Sequence, residues 1–136
     1  MRTATNAPLG KDAIALAGLF LTSGTMHFVK PEPFEAMVSK QLPSRRALVY
    51  ASGVAELACA VGLLVPRTRR VAGIVSAVLL VAVFPANVTM TSTAKRRLDR
   101  DPDDHRRQGY LAATVVRLPL QWPMIRTALR AGGVSR

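Results

Sequence analysis

The sequence predicts an all-α protein: an integral membrane four-helix bundle, up-down-up-down, with a short amphipathic segment between spans one and two. Three observations carry this. Four apolar clusters stand apart along the chain, each long enough to span a bilayer, whose hydrocarbon core is matched by about 20 apolar residues. Hydrophobic residues make up 49% of the chain and are clustered, with a mean hydropathy of +0.20; a soluble domain would spread them at amphipathic spacing. The turn Pro66-Arg67-Thr68-Arg69-Arg70 is so short that the spans on either side must be antiparallel neighbours. At 136 residues, a single domain covering 1–136 is the simplest division.

Taking the spans in order, Met1 to Asp12 is short and polar with Arg2 and Lys11, and the first span, about 13–29, follows it. Charge, apolar run and small residues (Thr22, Ser23, Gly24) come in the order of a secretory signal peptide. The run continues through Met26, His27, Phe28 and Val29, which favours a retained span. In the connection Lys30 to Arg46, Pro31 and Pro33 break the helix. Phe34, Met37, Val38 and Leu42 then fall near helical spacing, which suits an amphipathic element at the interface.

The second span, about 47–65, carries Gly53, Ala55, Ala58 and Gly62, small enough to let neighbouring helices approach closely. The third, about 71–90, contains Pro85, which leaves a carbonyl near Val81 without its donor and invites a kink. Thr91 to Gly109 is mixed in charge and reads as a solvated loop, with a helical extension at its start as the alternative; His105 lies in it as a surface residue. The fourth span, about 110–129, holds Arg117, Pro119, Gln121 and Pro123, with Trp122 and Arg126 suited to an interfacial position.

Lysines and arginines number 19 against 8 acidic residues, a net charge of +11. The basic residues sit in short blocks between apolar runs, as flanking charges of membrane helices do. No basic face with interleaved aromatics exists, and aromatics are 5% of the chain, so the expected electrostatic partner is anionic lipid and not nucleic acid. Eight basic residues fall on the terminal side and ten on the side of the first and third loops, a bias too small to orient the chain. The single cysteine, Cys59, excludes an internal disulfide framework, a zinc site and a Cys-x-x-Cys pair. Thiol redox chemistry would need a partner's cysteines, and Cys59 reads as a small buried hydrophobe.

Each span carries a polar or ionisable residue in the half nearer the first and third loops. At the helical rise, His27 lies roughly 5 Å in, Glu56 roughly 15 Å, and Arg117 roughly 10 Å. Asn87 lies near the same end of its span, and Gln121 one turn from Arg117 on the same face. Charges at such depth need partners and mark functional sites by default. An Arg117–Glu56 ion pair is within reach of the arginine stem. The five residues, His27, Glu56, Asn87, Arg117 and Gln121, form either a pocket or proton-linked site or a set of polar contacts that holds the helices in register. Histidine is the side chain that ordinarily serves as a proton carrier near neutrality, and the presence of His27 in the set favours the pocket. No metal-ligand spacing is present.

The strings HFVKPEPFEAMV, LPSRRALVYASGVAELACAVGLLVPRTRRVAG, VFPANVTM and VRLPLQ resemble the DoxX-like family of small four-helix membrane proteins. The resemblance runs from about Gly24 to Arg130. It implies a multi-pass protein of the bacterial inner membrane. The wider group includes small subunits of a thiosulfate:quinone oxidoreductase, proteins of thiol redox balance and proteins assisting methylamine dehydrogenase maturation, so a redox-associated role is implied. With no second cysteine, haem-ligand pair or flavin motif in the chain, the cofactor expected is a quinone or one held by a redox partner protein. The alternatives are a non-enzymatic carrier of a lipid or small molecule and a structural anchor for a soluble partner.

Overall fold

A computed structural model describes residues 8–38 and 40–135, and the described residues are helical with no strand. Five helices follow in order: α1 (Lys11–Val29), α2 (Glu32–Glu35), α3 (Arg45–Leu64), α4 (Arg69–Arg100) and α5 (His105–Ala131). Arg2 and Arg136, counted above among the terminal-side charges, lie outside the described residues.

Helices α1, α3 and α4 are each long and apolar enough to cross a membrane. α5 is not among them, because Arg117, Gln121 and Arg126 stand within it. Hydroxyls along these helices bond to their own backbone: Ser76 donates to the Ala72 carbonyl at 2.6 Å, Thr25 to Leu21 at 2.6 Å and Thr89 to Pro85 at 3.0 Å. A helix can thereby carry Ser and Thr among apolar residues without an unpaired donor.

Three boundaries differ from those expected. The short element between α1 and α3 is helical over Glu32–Glu35, not Phe34 to Leu42. Pro31 sits at its N-cap and Pro33 in its first turn, where a missing N–H costs nothing. The mixed-charge stretch from Thr91 is helix as far as Arg100, so only residues 101–104 connect α4 to α5. Lys95 and Asp99 pair at 3.0 Å one turn apart, and the side chain of Asp104 caps α5 by accepting from the Arg106 and Arg107 amides at 2.9 and 3.2 Å. Pro85 lies within the continuous α4.

The long helices touch in the order α1–α3–α4–α5, and α5 closes back on α1 along the thinnest seam. Asp12 at the start of α1 meets Arg130 and Thr127 near the end of α5, at 3.9 and 3.3 Å. At this terminal end lies the apolar core, including Leu16, Phe20, Cys59, Leu63, Leu80 and Ala128. Glycines make its closest contacts. A Cβ on Gly73 would lie 2.6 Å from the Ala128 carbonyl oxygen and closer still to the Gly132 amide; one on Gly62 would lie 2.7 Å from the Ala72 Cβ. Of the small residues expected to admit a neighbour, Gly53 and Gly62 do so, whereas Ala58 faces outward.

Candidate functional site

At the opposite end α4 and α5 stand apart from α1, while α1 and α3 remain in contact. Gly53 of α3 crosses Gly24 of α1, each with the other's carbonyl oxygen 3.0–3.1 Å from where its Cβ would be, and a Cβ on Gly53 would also lie 2.8 Å from the His27 Cβ. That crossing seats His27 against α3, one turn from Glu56. The His27 Nδ1 is 2.6 Å from the Ser23 carbonyl oxygen. A carbonyl only accepts, so Nδ1 carries the proton. The ring also stacks on Phe34 of α2, with centroids 3.9 Å apart.

Glu56 is buried, with Nδ1 of His27 at 3.8 Å from its Oε2. That oxygen has no hydrogen-bond partner. The groups that bear on the carboxylate are the Ser23 hydroxyl, the His27 ring and the Arg117 guanidinium. The expected Arg117–Glu56 ion pair is not closed; among the described residues Glu56 has only His27 at ion-pair distance. Depth counting put His27 and Glu56 roughly 10 Å apart. The first turn of α3, Arg45 to Leu48, is exposed, and His27 and Glu56 nevertheless meet, so equal counts from the loop do not give equal heights.

Asn87 and Gln121 are buried and bonded to each other, Asn87 Nδ2 donating to Gln121 Oε1 at 2.9 Å. Gln121 Nε2 in turn donates to the Leu80 carbonyl, one residue from the carbonyl that Pro85 leaves without its donor. The pair thus joins α5 to α4, and both ends of the Gln121 amide are bonded.

Between α1, α4 and α5 lies a cavity of about 820 Å³. Its wall is apolar, with Leu19, Phe20, Leu79 and Met124 among its residues, and Glu56, Asn87, Arg117 and Gln121 interrupt it. A second cavity of about 450 Å³ lies between α3 and α4 and includes His27. Phe34, Glu56, Asn87 and Arg117 line both. All five expected residues therefore meet at one place, in two roles: Asn87 and Gln121 satisfy one another, while Glu56 and Arg117 keep capacity to spare.

Two contributors were not singled out from sequence. Ser23 lies four residues before His27, hence on the same helix face, and that spacing was its only signal. Phe34 roofs the site, and only the fold shows that its helix lies over His27. Cys59, one turn beyond Glu56, packs in the apolar core, and His105 is exposed at the start of α5. Among the described residues no three His, Cys, Asp or Glu side chains come together as a metal site requires.

No curated protein and no solved structure matches the chain. The model of a domain of unknown function, DUF8561, matches residues 16–132. That range takes in all of α2 to α5, most of α1, and every residue of the site. The chain belongs to the DUF8561 family.

Proposed function

We propose that this is a multi-pass integral membrane protein of DoxX-like type, with α1, α3, α4 and α5 as an up-down-up-down bundle and α5 as the fourth span. The outward faces support this reading. Val78 of α4 is 63% exposed, and on α5 Val116 is 55% and Trp122 66% exposed. In water such faces would form an apolar patch far larger than soluble monomers carry. The polar residues that lower the hydropathy of α5 include Thr114 and Gln121, which are buried, and Arg117, which borders the cavities.

Within that bundle, the protein serves as a redox-associated subunit whose intramembrane pocket binds a quinone or similar lipophilic molecule. The observation that carries the pocket is the cavity of about 820 Å³, with apolar walls and a few convergent polar groups, the form that small-molecule sites take. The redox association and the bacterial inner membrane rest on the DoxX-like resemblance. Membrane lipids and a redox partner protein are the proposed partners.

The test is binding of decyl-benzoquinone to protein reconstituted in phosphatidylcholine vesicles. Saturable binding, weakened about tenfold or more in Arg117→Ala, is expected, since a hydrogen bond from a charged donor contributes about 1.5–3 kcal/mol. No saturable binding overturns the pocket. A second reading, a non-enzymatic lipid carrier, draws support from the sideways opening of the cavity; it predicts binding without any redox phenotype on deletion.

A further inference from the structure

Resting on that reading of the cavity, we infer that its occupant is a neutral amphiphile with a hydroxyl-bearing head, a lipid-soluble alcohol or phenol, which enters sideways from the bilayer between α1 and α5. The head donates its O–H to Glu56 and accepts from Arg117.

Toward α3 and α4 the space continues into the second cavity; the route follows from the two ends that close it and from the thinnest of the successive seams between long helices. Toward the termini the space ends on the packed core of Leu16, Leu63, Leu80 and Ala128. Toward the loops it is roofed by α2, where Phe34 lies on His27 and Glu35 is tied to Arg46 of α3 at 2.5 Å. The seam between α1 and α5 is the thinnest among the four successive contacts of the long helices. Leu19 and Met26 on one side and Ala113 and Leu120 on the other line the cavity there, and all four are exposed. An apolar tail can rest along that seam.

The head-group chemistry follows from which polar atoms remain unspent. The Asn87 amide N–H₂ donates to Gln121, both ends of the Gln121 amide are bonded, and His27 Nδ1 is given to Ser23. Glu56 Oε2 has no partner although the side chain is only 9% exposed. Arg117 makes no hydrogen bond or ion pair among the described residues. Arginine cannot give up its proton, so the site is electrically neutral only with Glu56 as a carboxylate, which accepts and does not donate. The vacant capacity includes the Glu56 Oε2 acceptor and the donors of Arg117, with Asn87 Oδ1 a further acceptor. A hydroxyl satisfies Glu56 and Arg117 at once. An anionic head would meet the Glu56 charge, and a head with acceptors only, held by Arg117 alone, would leave Glu56 unpaired, so of a quinone couple both forms bind and the reduced form binds the more tightly.

The experiment compares three probes of matched chain length on the wild-type protein in phosphatidylcholine nanodiscs: para-dodecylphenol, its methyl ether, and dodecanoate. Saturable binding of the phenol, about tenfold or more tighter than the ether, is expected from one hydrogen bond to a charged acceptor, with dodecanoate weaker than the phenol. Glu56→Leu should erase the difference between phenol and ether. Equal binding of phenol and ether, or tighter binding of dodecanoate, overturns the inference and leaves the pocket standing. Failure of all three to bind saturably overturns both. The comparison among probes on the wild type needs no variant to fold.

Discussion

Where α1 begins and α5 ends, the helices touch through glycine and alanine, with Gly73 against Ala128 and Gly132 and Gly62 against Ala72. A few turns along the same helices, they stand apart around Glu56 and Arg117 and surround about 820 Å³. In the terminal half, contact is backbone against backbone, the packed side chains are mostly apolar, and the buried Ser76 hydroxyl is spent on its own helix. In the loop half α1 and α3 still cross through Gly24 and Gly53, but longer polar side chains stand between them and α4 and α5, where Asn87 and Gln121 bridge part of the gap. Helices in a bilayer gain nothing from hiding apolar surface from one another and must associate through packing and polar contacts. The molecule uses packing at one end and polar contacts at the other, and only the second leaves space and unspent hydrogen-bonding capacity.

Substitutions can break each half separately. The largest effect is expected at Gly73. Gly73→Leu drives a side chain into the backbone of α5 and should cost about 3 kcal/mol or more, read as loss of a monodisperse species in detergent. Next comes Gln121→Leu, which strands the Asn87 amide and should cost about 1–3 kcal/mol. A cycle with Asn87→Leu should show a coupling of about 0.6 and at most about 1.7 kcal/mol; additive losses would mean that the two amides do not act together.

Gly53→Ala pushes on the His27 Cβ and should cost about 1 kcal/mol. Its more telling readout is weakened decyl-benzoquinone binding, because His27 is then displaced from Glu56. The smallest effect is expected for Arg46→Ala. Its contacts with Glu35 and Glu32 are on the surface, where ion pairs contribute little. Global stability should stay nearly unchanged, while hydrogen exchange quickens at the Ala36 and Val38 amides that close the turns of α2.

The tight half was the more legible from sequence. Apolar runs located α1 and α3 to within two residues, since such runs have few other uses at that length. The small residues of the second span pointed to close packing, though Gly73, which bears the closest contact, was not among those singled out. The extension of α4 to Arg100 was concealed by its charges: Lys95 and Asp99 look like loop residues one at a time, and their pairing along a helix becomes visible only at a spacing of four. In the loop half, depth counting brought the five polar residues to one end of the molecule. It could not say which faced which, because distance along a helix carries no direction around it. Hence Arg117 was matched with Glu56, whereas His27 stands closer and Gln121 turns to Asn87. The cavity itself had no sequence signal, being made by side chains that are not there.

That the hollow half exists to hold a ligand is tested most directly by filling it. Ala113 lines the cavity at the seam with α1. Native mass spectrometry of Ala113→Trp and wild type, both loaded with decyl-benzoquinone and released from nanodiscs, compares retention at matched folding. The account predicts one retained molecule per wild-type chain, none in Ala113→Trp, and a melting temperature at least as high in the variant. Equal retention by the two proteins would contradict it.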